Sequence, residues 1–253
     1  MKITYLAGLL ALLVLPLHAD DPKDVKSIPH FISNDVHSTD IYTGFTNRDH
    51  SWYSYAGGEY ALNGNIDQAG WFVRGAVGGG QYSYLANNSL QGHARGSLVE
   101  GSAGIGYKFK GDVWSLSLFT GPHYRDRSLN VFDPNNVNSS GKFGDLSGLY
   151  LDATTDHVYW NLVSQFSTID ISSWNRARIG YQFDPYQITV GPEGIYDRDK
   201  FFDEERGGAF VKLQLNDLIG VDLSGGYAKY NSSFGNSSSN SSAYETIGLN
   251  FAF

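Results

Sequence analysis

The chain has 253 residues, no cysteine, 30 glycines, 15% aromatic residues and a formal net charge of −8 at pH 7. The acidic balance excludes a nucleic-acid role, which needs a basic stripe. Without cysteine the fold cannot lean on disulfides, and the length suits one domain.

Residues 1–19 read as a secretory signal peptide. Lys2 is the short basic start, and Ile3 to Leu17 is an apolar run interrupted by Thr4 and Gly8. Leu17-His18-Ala19 ends on a small residue suited to cleavage. The run is short for a bilayer span of about 20 residues, so removal is expected rather than retention as an anchor. Loss of these residues removes Lys2 and takes the net charge from −8 to −9. Residues 20–39, opening Asp20-Asp21-Pro22-Lys23-Asp24, lack a strand pattern. They are expected to form a flexible periplasmic lead, with a small lumenal plug as the alternative.

From residue 40 to the end, stretches of about ten residues with alternating character are separated by turn residues. Strands are expected near 40–47, 52–62, 70–84, 96–109, 112–124, 146–154, 158–168, 174–183, 187–196, 206–215, 219–230 and 242–253. This predicts an all-β fold over 40–253: a single antiparallel transmembrane β-barrel of about twelve strands, in the bacterial outer membrane. A soluble β-sandwich also shows many short alternating strands. Two features favour the barrel.

The connections alternate in length. Asn63-Gly64-Asn65-Ile66-Asp67, Lys110-Gly111-Asp112, Thr155-Asp156-His157, Asp184-Pro185-Tyr186 and Asn216-Asp217-Leu218 are short. The stretches 85–95, 125–145, 197–205 and 231–241 are long, with 47–51 and 169–173 as shorter members of that set. This matches periplasmic turns and extracellular loops. The strand faces also separate by polarity. Val158, Trp160, Leu162 and Phe166 oppose Tyr159, Asn161 and Gln165, while Ile179 and Phe183 oppose Arg176, Arg178 and Gln182. Apolar faces meet lipid and polar faces meet a lumen; a charge at the lipid midplane would cost about 2–4 kcal/mol. The last strand carries Ile247, Leu249, Phe251 and Phe253 on one face, the pattern of a closing strand that serves as the assembly signal. A closed barrel bonds every strand on both sides and so needs no disulfides.

The polar faces nominate a lumen network of Glu59, Arg74, Glu100, Lys108, Arg176, Arg178, Glu193 and Lys212. Opposite charges in a narrow barrel can pair across the pore and fill it, or form a polar constriction for a carbohydrate. Phe72, Tyr159 and Phe210 are the aromatics expected to point inward; Trp71, Trp114, Trp160, Phe251 and Phe253 are expected in the interfacial girdles. The acidic stretch 197–205 reads as a solvated outer loop, since its spacing matches no calcium motif and two basic residues interrupt it. The Asn/Ser-rich stretch 231–241 reads the same way.

No metal and no cofactor are expected. The histidines at 30, 37, 50, 93, 123 and 157 fall in the lead, loops or strand ends, without metal-ligand spacing. No Gly-x-Ser-x-Gly elbow occurs. A serine–histidine pair assembled on neighbouring strands is the enzymatic alternative.

Several stretches, taken in order, resemble a known family. They are Tyr60-Ala61-Leu62-Asn63-Gly64-Asn65-Ile66-Asp67, Gly70-Trp71-Phe72-Val73-Arg74-Gly75, Gly121-Pro122-His123-Tyr124-Arg125-Asp126 and Asp133-Pro134-Asn135-Asn136. Trp174-Asn175-Arg176-Ala177-Arg178-Ile179-Gly180-Tyr181, Thr189-Val190-Gly191-Pro192-Glu193, Arg206-Gly207-Gly208-Ala209-Phe210-Val211 and Leu223-Ser224-Gly225-Gly226-Tyr227 follow. The chain resembles the cellulose biosynthesis protein BcsS family of outer-membrane proteins over nearly its whole mature length. The stretch 231–241 is long for that family. The resemblance implies a role in making, exporting or anchoring cellulose and supplies no catalytic residues. The expected function is a non-enzymatic accessory acting by lumen or loop contacts, with a narrow porin for small solutes or oligosaccharides as the alternative. Expected partners are outer-membrane lipid, cellulose or cellulose-synthase subunits, and the barrel-assembly machinery.

Overall fold

The computed structural model describes residues 36–49, 51–85, 93–130, 141–183, 187–200, 202–232 and 240–253. Among the described residues twelve strands succeed one another: β1 Thr39–Arg48, β2 Ser51–Ala61, β3 Gly70–Leu85, β4 His93–Lys110, β5 Trp114–Leu129 and β6 Lys142–Thr155. The second half adds β7 Val158–Ser167, β8 Ser172–Phe183, β9 Ile188–Arg198, β10 Phe202–Gln214, β11 Ile219–Ser232 and β12 Asn240–Ala252. Every strand pairs antiparallel with its neighbours in sequence, and β1 closes onto β12 from Asp40↔Ala252 to Arg48↔Tyr244. The sheet is a closed barrel with no free edge.

The ends meet at one rim. Phe253 O accepts from Ser38 N at 2.6 Å and Thr39 N at 3.0 Å, while Ile66 N donates to His37 O at 2.7 Å. Residues 36–38, the last described part of the expected lead, are thus tied to the β2–β3 turn and the C-terminus. The signal expected over 1–19, and the lead as far as residue 35, lie outside the described residues.

Alternation holds along the strands. Phe72 is 1% exposed between Trp71 at 55% and Val73 at 40%. Phe45, Trp52, Phe166, Tyr196 and Tyr227 stand outward toward the long-loop rim, and Tyr60, Trp71, Trp114, Trp160, Tyr181 and Phe253 toward the short-turn rim. Val73, Val77, Ile105, Leu118, Ile179, Leu223 and Ile247 fill the band between these aromatic rings. An apolar band between two aromatic girdles is what a lipid-facing barrel wall requires.

The abundance of glycine and of aromatic residues has one common cause. A Cβ added at Gly44 would stand 2.5 Å from the Tyr55 ring, and one at Gly57 would stand 2.6 Å from the Tyr42 ring. Gly106 leaves the same room for Phe72, and Gly148 for Phe119. Each ring lies against bare backbone on the adjacent strand, so inward aromatics panel the wall instead of colliding with it.

Two strand pairs are interrupted at mid-wall. Between β4 and β5 the pairing passes from Ser102↔His123 to Ile105↔Thr120, skipping Gly121 and Pro122. Between β8 and β9 it passes from Arg178↔Glu193 to Tyr181↔Val190, skipping Gly191 and Pro192. Proline has no N–H to give the ladder. The glycine before it lets the opposing chain lean in: a Cβ at Gly121 or Gly191 would collide with the carbonyl oxygen of Ala103 or Ile179.

The stretch 197–205 is not a solvated loop. β9 continues to Arg198 and β10 starts at Phe202, so the connection is a tight hairpin. Two of its acids point inward, Asp199 at 5% exposure and Glu204 fully buried, whereas Asp203 meets Arg198 on the outer face. Arg48, Arg127 and Arg206 reach the inward two from inside, which lets a strand with hardly any apolar alternation persist. The β7–β8 turn is also tight, with Asp170 at φ 54° and Ile171 at φ 49°. A β-branched residue with positive φ is strained, by about 1–3 kcal/mol. The Asp170 carboxylate offsets this by accepting from Lys142 Nζ at 2.7 Å.

Gly121→Ala and Gly191→Ala are each expected to destabilise the barrel by about 1–3 kcal/mol, because the added methyl meets backbone that cannot rotate away. Cβ atoms at Gly194 and Gly207 would meet nothing within 4 Å. Alanine there is expected to stay within about 0.5 kcal/mol of wild type. Urea unfolding in lipid vesicles, followed by tryptophan fluorescence, distinguishes the two pairs.

Candidate functional site

The enclosed face of the barrel carries the chemistry, and its residues fall into tiers along the axis. At the short-turn rim stand Asp40, Glu59, Lys108 and Lys212. Lys108 Nζ donates to Ile66 O at 2.9 Å, tying the buried Ile66 of the β2–β3 turn across the rim. Lys212 Nζ sits 5.2 Å from the Tyr159 ring centre.

The next tier is closely packed. Phe72, Phe119, Tyr159 and Phe210 project from β3, β5, β7 and β10, and all are buried. Arg74 lies 3.8 Å over the Phe119 ring and 5.0 Å over Tyr150. Its Nη2 donates to Tyr42 Oη at 2.8 Å, and its Nη1 lies 3.7 Å from Glu59 Oε1. Arg178, buried on β8, lies 4.7 Å over the Phe210 ring. It donates through Nε to Glu193 and through Nη1 and Nη2 to Asp222, the latter two at 2.6 and 2.9 Å. Tyr244 Oη completes the Glu193 carboxylate at 3.1 Å. These struts run from β3 to β1 and from β8 to β11. A buried charge is tolerated only when paired and hydrogen-bonded, and Arg178 with its two carboxylates meets that condition.

Above it, Glu100 accepts from Tyr53 Oη and, at 2.9 Å, from Arg125 Nε. Arg176 Nη2 donates to Asn161 Oδ1 at 3.1 Å, and its guanidinium lies 5.6 Å from the Trp174 ring centre. At the long-loop rim Glu204 binds both Arg48 and Arg206, Asp199 accepts from Arg127 at 2.6 Å, and Asp170 accepts from Lys142.

The eight charges nominated from the sequence do not form one network. Arg178 and Glu193 meet, and Arg74 approaches Glu59. Glu100 finds Arg125, Arg176 finds an asparagine, and Lys108 and Lys212 find a carbonyl and a ring. Asp222 is a partner that sequence reading missed, although it alternates with Val221 and Leu223. The acids at 197–204 were missed because they were assigned to a loop.

His123 is not at a strand end. β5 runs on to Leu129, which leaves His123 inside the lumen at 4% exposure. Its Nδ1 lies 2.8 Å from Ser167 Oγ, and its Nε2 lies 3.5 Å from Glu100 Oε2. This has the parts of a serine–histidine–acid relay. However, Ser167 is 2% exposed, and its Oγ also accepts from Ile169 N at 3.1 Å. A nucleophile needs access to its substrate, so the trio reads as a satisfied polar core. Among the described residues no group of His, Cys, Asp and Glu is arranged to hold a metal.

A closed antiparallel barrel, banded in apolar residues outside and charged within, is an integral protein of the bacterial outer membrane. The family model described as cellulose biosynthesis protein BcsS matches residues 41–253, and the chain belongs to that family. No curated protein matches it. Among solved structures it is similar to an outer membrane channel from Pseudomonas putida F1, with 11% identity and a TM-score of 0.51 over 93% of this chain and 100% of that one. The translocator domain of the autotransporter NalP from Neisseria meningitidis matches with 8% identity and a TM-score of 0.48, over 99% of this chain and 97% of that one. LpxR from Salmonella typhimurium matches with 10% identity and a TM-score of 0.47, over 85% of this chain and 100% of that one. At these identities the likeness is one of fold.

Arg178→Ala leaves Glu193 and Asp222 without their shared cation and is expected to destabilise the barrel by about 3–5 kcal/mol. Arg198 pairs with Asp203 at 3.2 Å on the outer surface, where its side chain is 56% exposed. Arg198→Ala is expected to cost under about 1 kcal/mol in the same unfolding assay.

Proposed function

We propose that this protein is a non-enzymatic outer-membrane accessory of bacterial cellulose biosynthesis or secretion, acting by contact with polysaccharide or cellulose-synthase subunits. Membership of the family supports the cellulose role. The observation that carries the mode of action is the packed tier: Phe72 and Phe210 are each 1% exposed, Arg74 lies over the Phe119 ring, and Arg178 lies over the Phe210 ring. Side chains that exclude water from the cross-section act as a septum, so the barrel holds its partner rather than conducting solute. Of the eight lumen charges, Arg74, Arg178 and Glu193 serve this filling by bracing the wall. Ile247, Leu249, Phe251 and Phe253 stand on the outer face of β12, where the barrel-assembly machinery reads the closing strand, and β12 then zips to β1.

In planar bilayers the purified wild-type protein is expected to give no steady conductance, and the double substitution Phe72→Ala with Phe210→Ala is expected to give one. A steady open pore in the wild type would establish the narrow-porin alternative instead. Deleting the gene is expected to lower cellulose output, and the wild-type gene to restore it. Unchanged output would remove the cellulose role and leave the barrel standing.

A further inference from the structure

One side of the lumen differs from the rest. Tyr42 on β1 and Tyr53 and Tyr55 on β2 all project inward and are only half-buried. Their backs are covered by the barrel wall, since Gly57, Gly44 and Gly78 make room for Tyr42, Tyr55 and Tyr53. The exposed part of each ring therefore faces the interior. The three form a column, with ring centres 6.4 Å apart from Tyr42 to Tyr55 and 6.2 Å apart from Tyr55 to Tyr53. That spacing is comparable to the length of one pyranose unit. Facing the column are Trp174 and Arg176, also half-buried. β8, which carries both, stands six strands from β2 in either direction round the ring and so lies opposite it. Arg176 Nε is buried and has no hydrogen-bond partner.

We infer that the lumen above the packed tier is a blind vestibule that binds a β-linked glucan segment, stacked on Tyr42, Tyr55 and Tyr53 and hydrogen-bonded by Arg176. The charges around it are already paired: Arg125 with Glu100, Arg206 with Glu204, and Arg178 with Glu193 and Asp222. Such a lining has little net charge to attract an ion. It suits a neutral ligand with apolar ring faces and hydroxyl edges, because aromatic walls with a few fixed polar groups are how such ligands are held. A β-linked glucan is an extended ribbon that presents successive ring faces to a row of aromatic rings, whereas an α-linked chain coils away from it. The septum beneath makes the site a dead end, which converts a track into a grip. The choice of glucan rests on the cellulose role proposed above; the stacking surface does not.

Isothermal titration of the full-length protein in detergent micelles with cellohexaose, with maltohexaose as the control, tests this. Wild type is expected to bind cellohexaose and to bind maltohexaose at least about tenfold more weakly. Tyr55→Leu is expected to weaken cellohexaose binding about tenfold, while Tyr55→Phe, which keeps the ring, retains it. Arg176→Gln tests the opposite wall independently and is expected to weaken binding about threefold to tenfold. Heat-modifiable migration confirms that each variant is a folded barrel. No binding by the folded wild type, equal binding of both sugars, or binding indifferent to both Tyr55→Leu and Arg176→Gln would overturn the vestibule. A cellulose defect on deletion, alongside absent cellohexaose binding, would remove the vestibule and keep the cellulose role.

Discussion

Everything in this molecule follows from closing a sheet on itself where no water can solvate its edge. In hydrocarbon an unpaired backbone group costs several kcal/mol, so each strand must be bonded on both flanks. β1 meets β12 along nine residue pairs, and the ring is complete. Closure creates an inside, and the inside is where the polar half of every strand is sent. The charges there are a consequence of geometry first, and only then a resource for function.

Once enclosed, those charges have to find each other. Arg178 engages Glu193 and Asp222 on two other strands, Arg127 reaches Asp199, and Arg48 shares Glu204 with Arg206. None of these pairs is adjacent along the chain except Glu204 with Arg206. They act as crossbars, holding the wall from within while glycines let aromatic rings lie flat against it. The two arrangements complement each other. Arg74, Arg178 and their stacked rings pack the lower lumen, and the Arg48–Glu204–Arg206 and Arg127–Asp199 crossbars brace the long-loop rim. Panelled tyrosines keep to the wall higher up and leave their faces to the interior.

Much of the architecture was legible in the residues. Alternation in segments such as Tyr159-Trp160-Asn161-Leu162 and the short-then-long connections specify strands, faces and an even strand number. The inward placement of Phe72, Tyr159 and Phe210 follows from the same alternation. It fails at Ser51-Trp52-Tyr53-Ser54-Tyr55, where aromatics occupy both faces and neither face is marked as inner. It fails again at 197–205, where acids and bases replace the apolar partners that signal a strand. His123 was misplaced because the end of β5 carries Arg125, Asp126 and Arg127, which read as loop.

The amino-acid order by itself determined a closed, membrane-embedded β-barrel and which residues of most strands turn inward, because a period of two is a local property of the chain. Only the tertiary structure decided which inward charges meet, that His123 is enclosed beside Ser167, and that the lumen is closely packed at one tier and tyrosine-lined above it. Those facts depend on which strands face each other across the ring. That opposition is set by closure, and the curvature that brings Arg178 to Asp222 leaves no trace in the spacing of either residue.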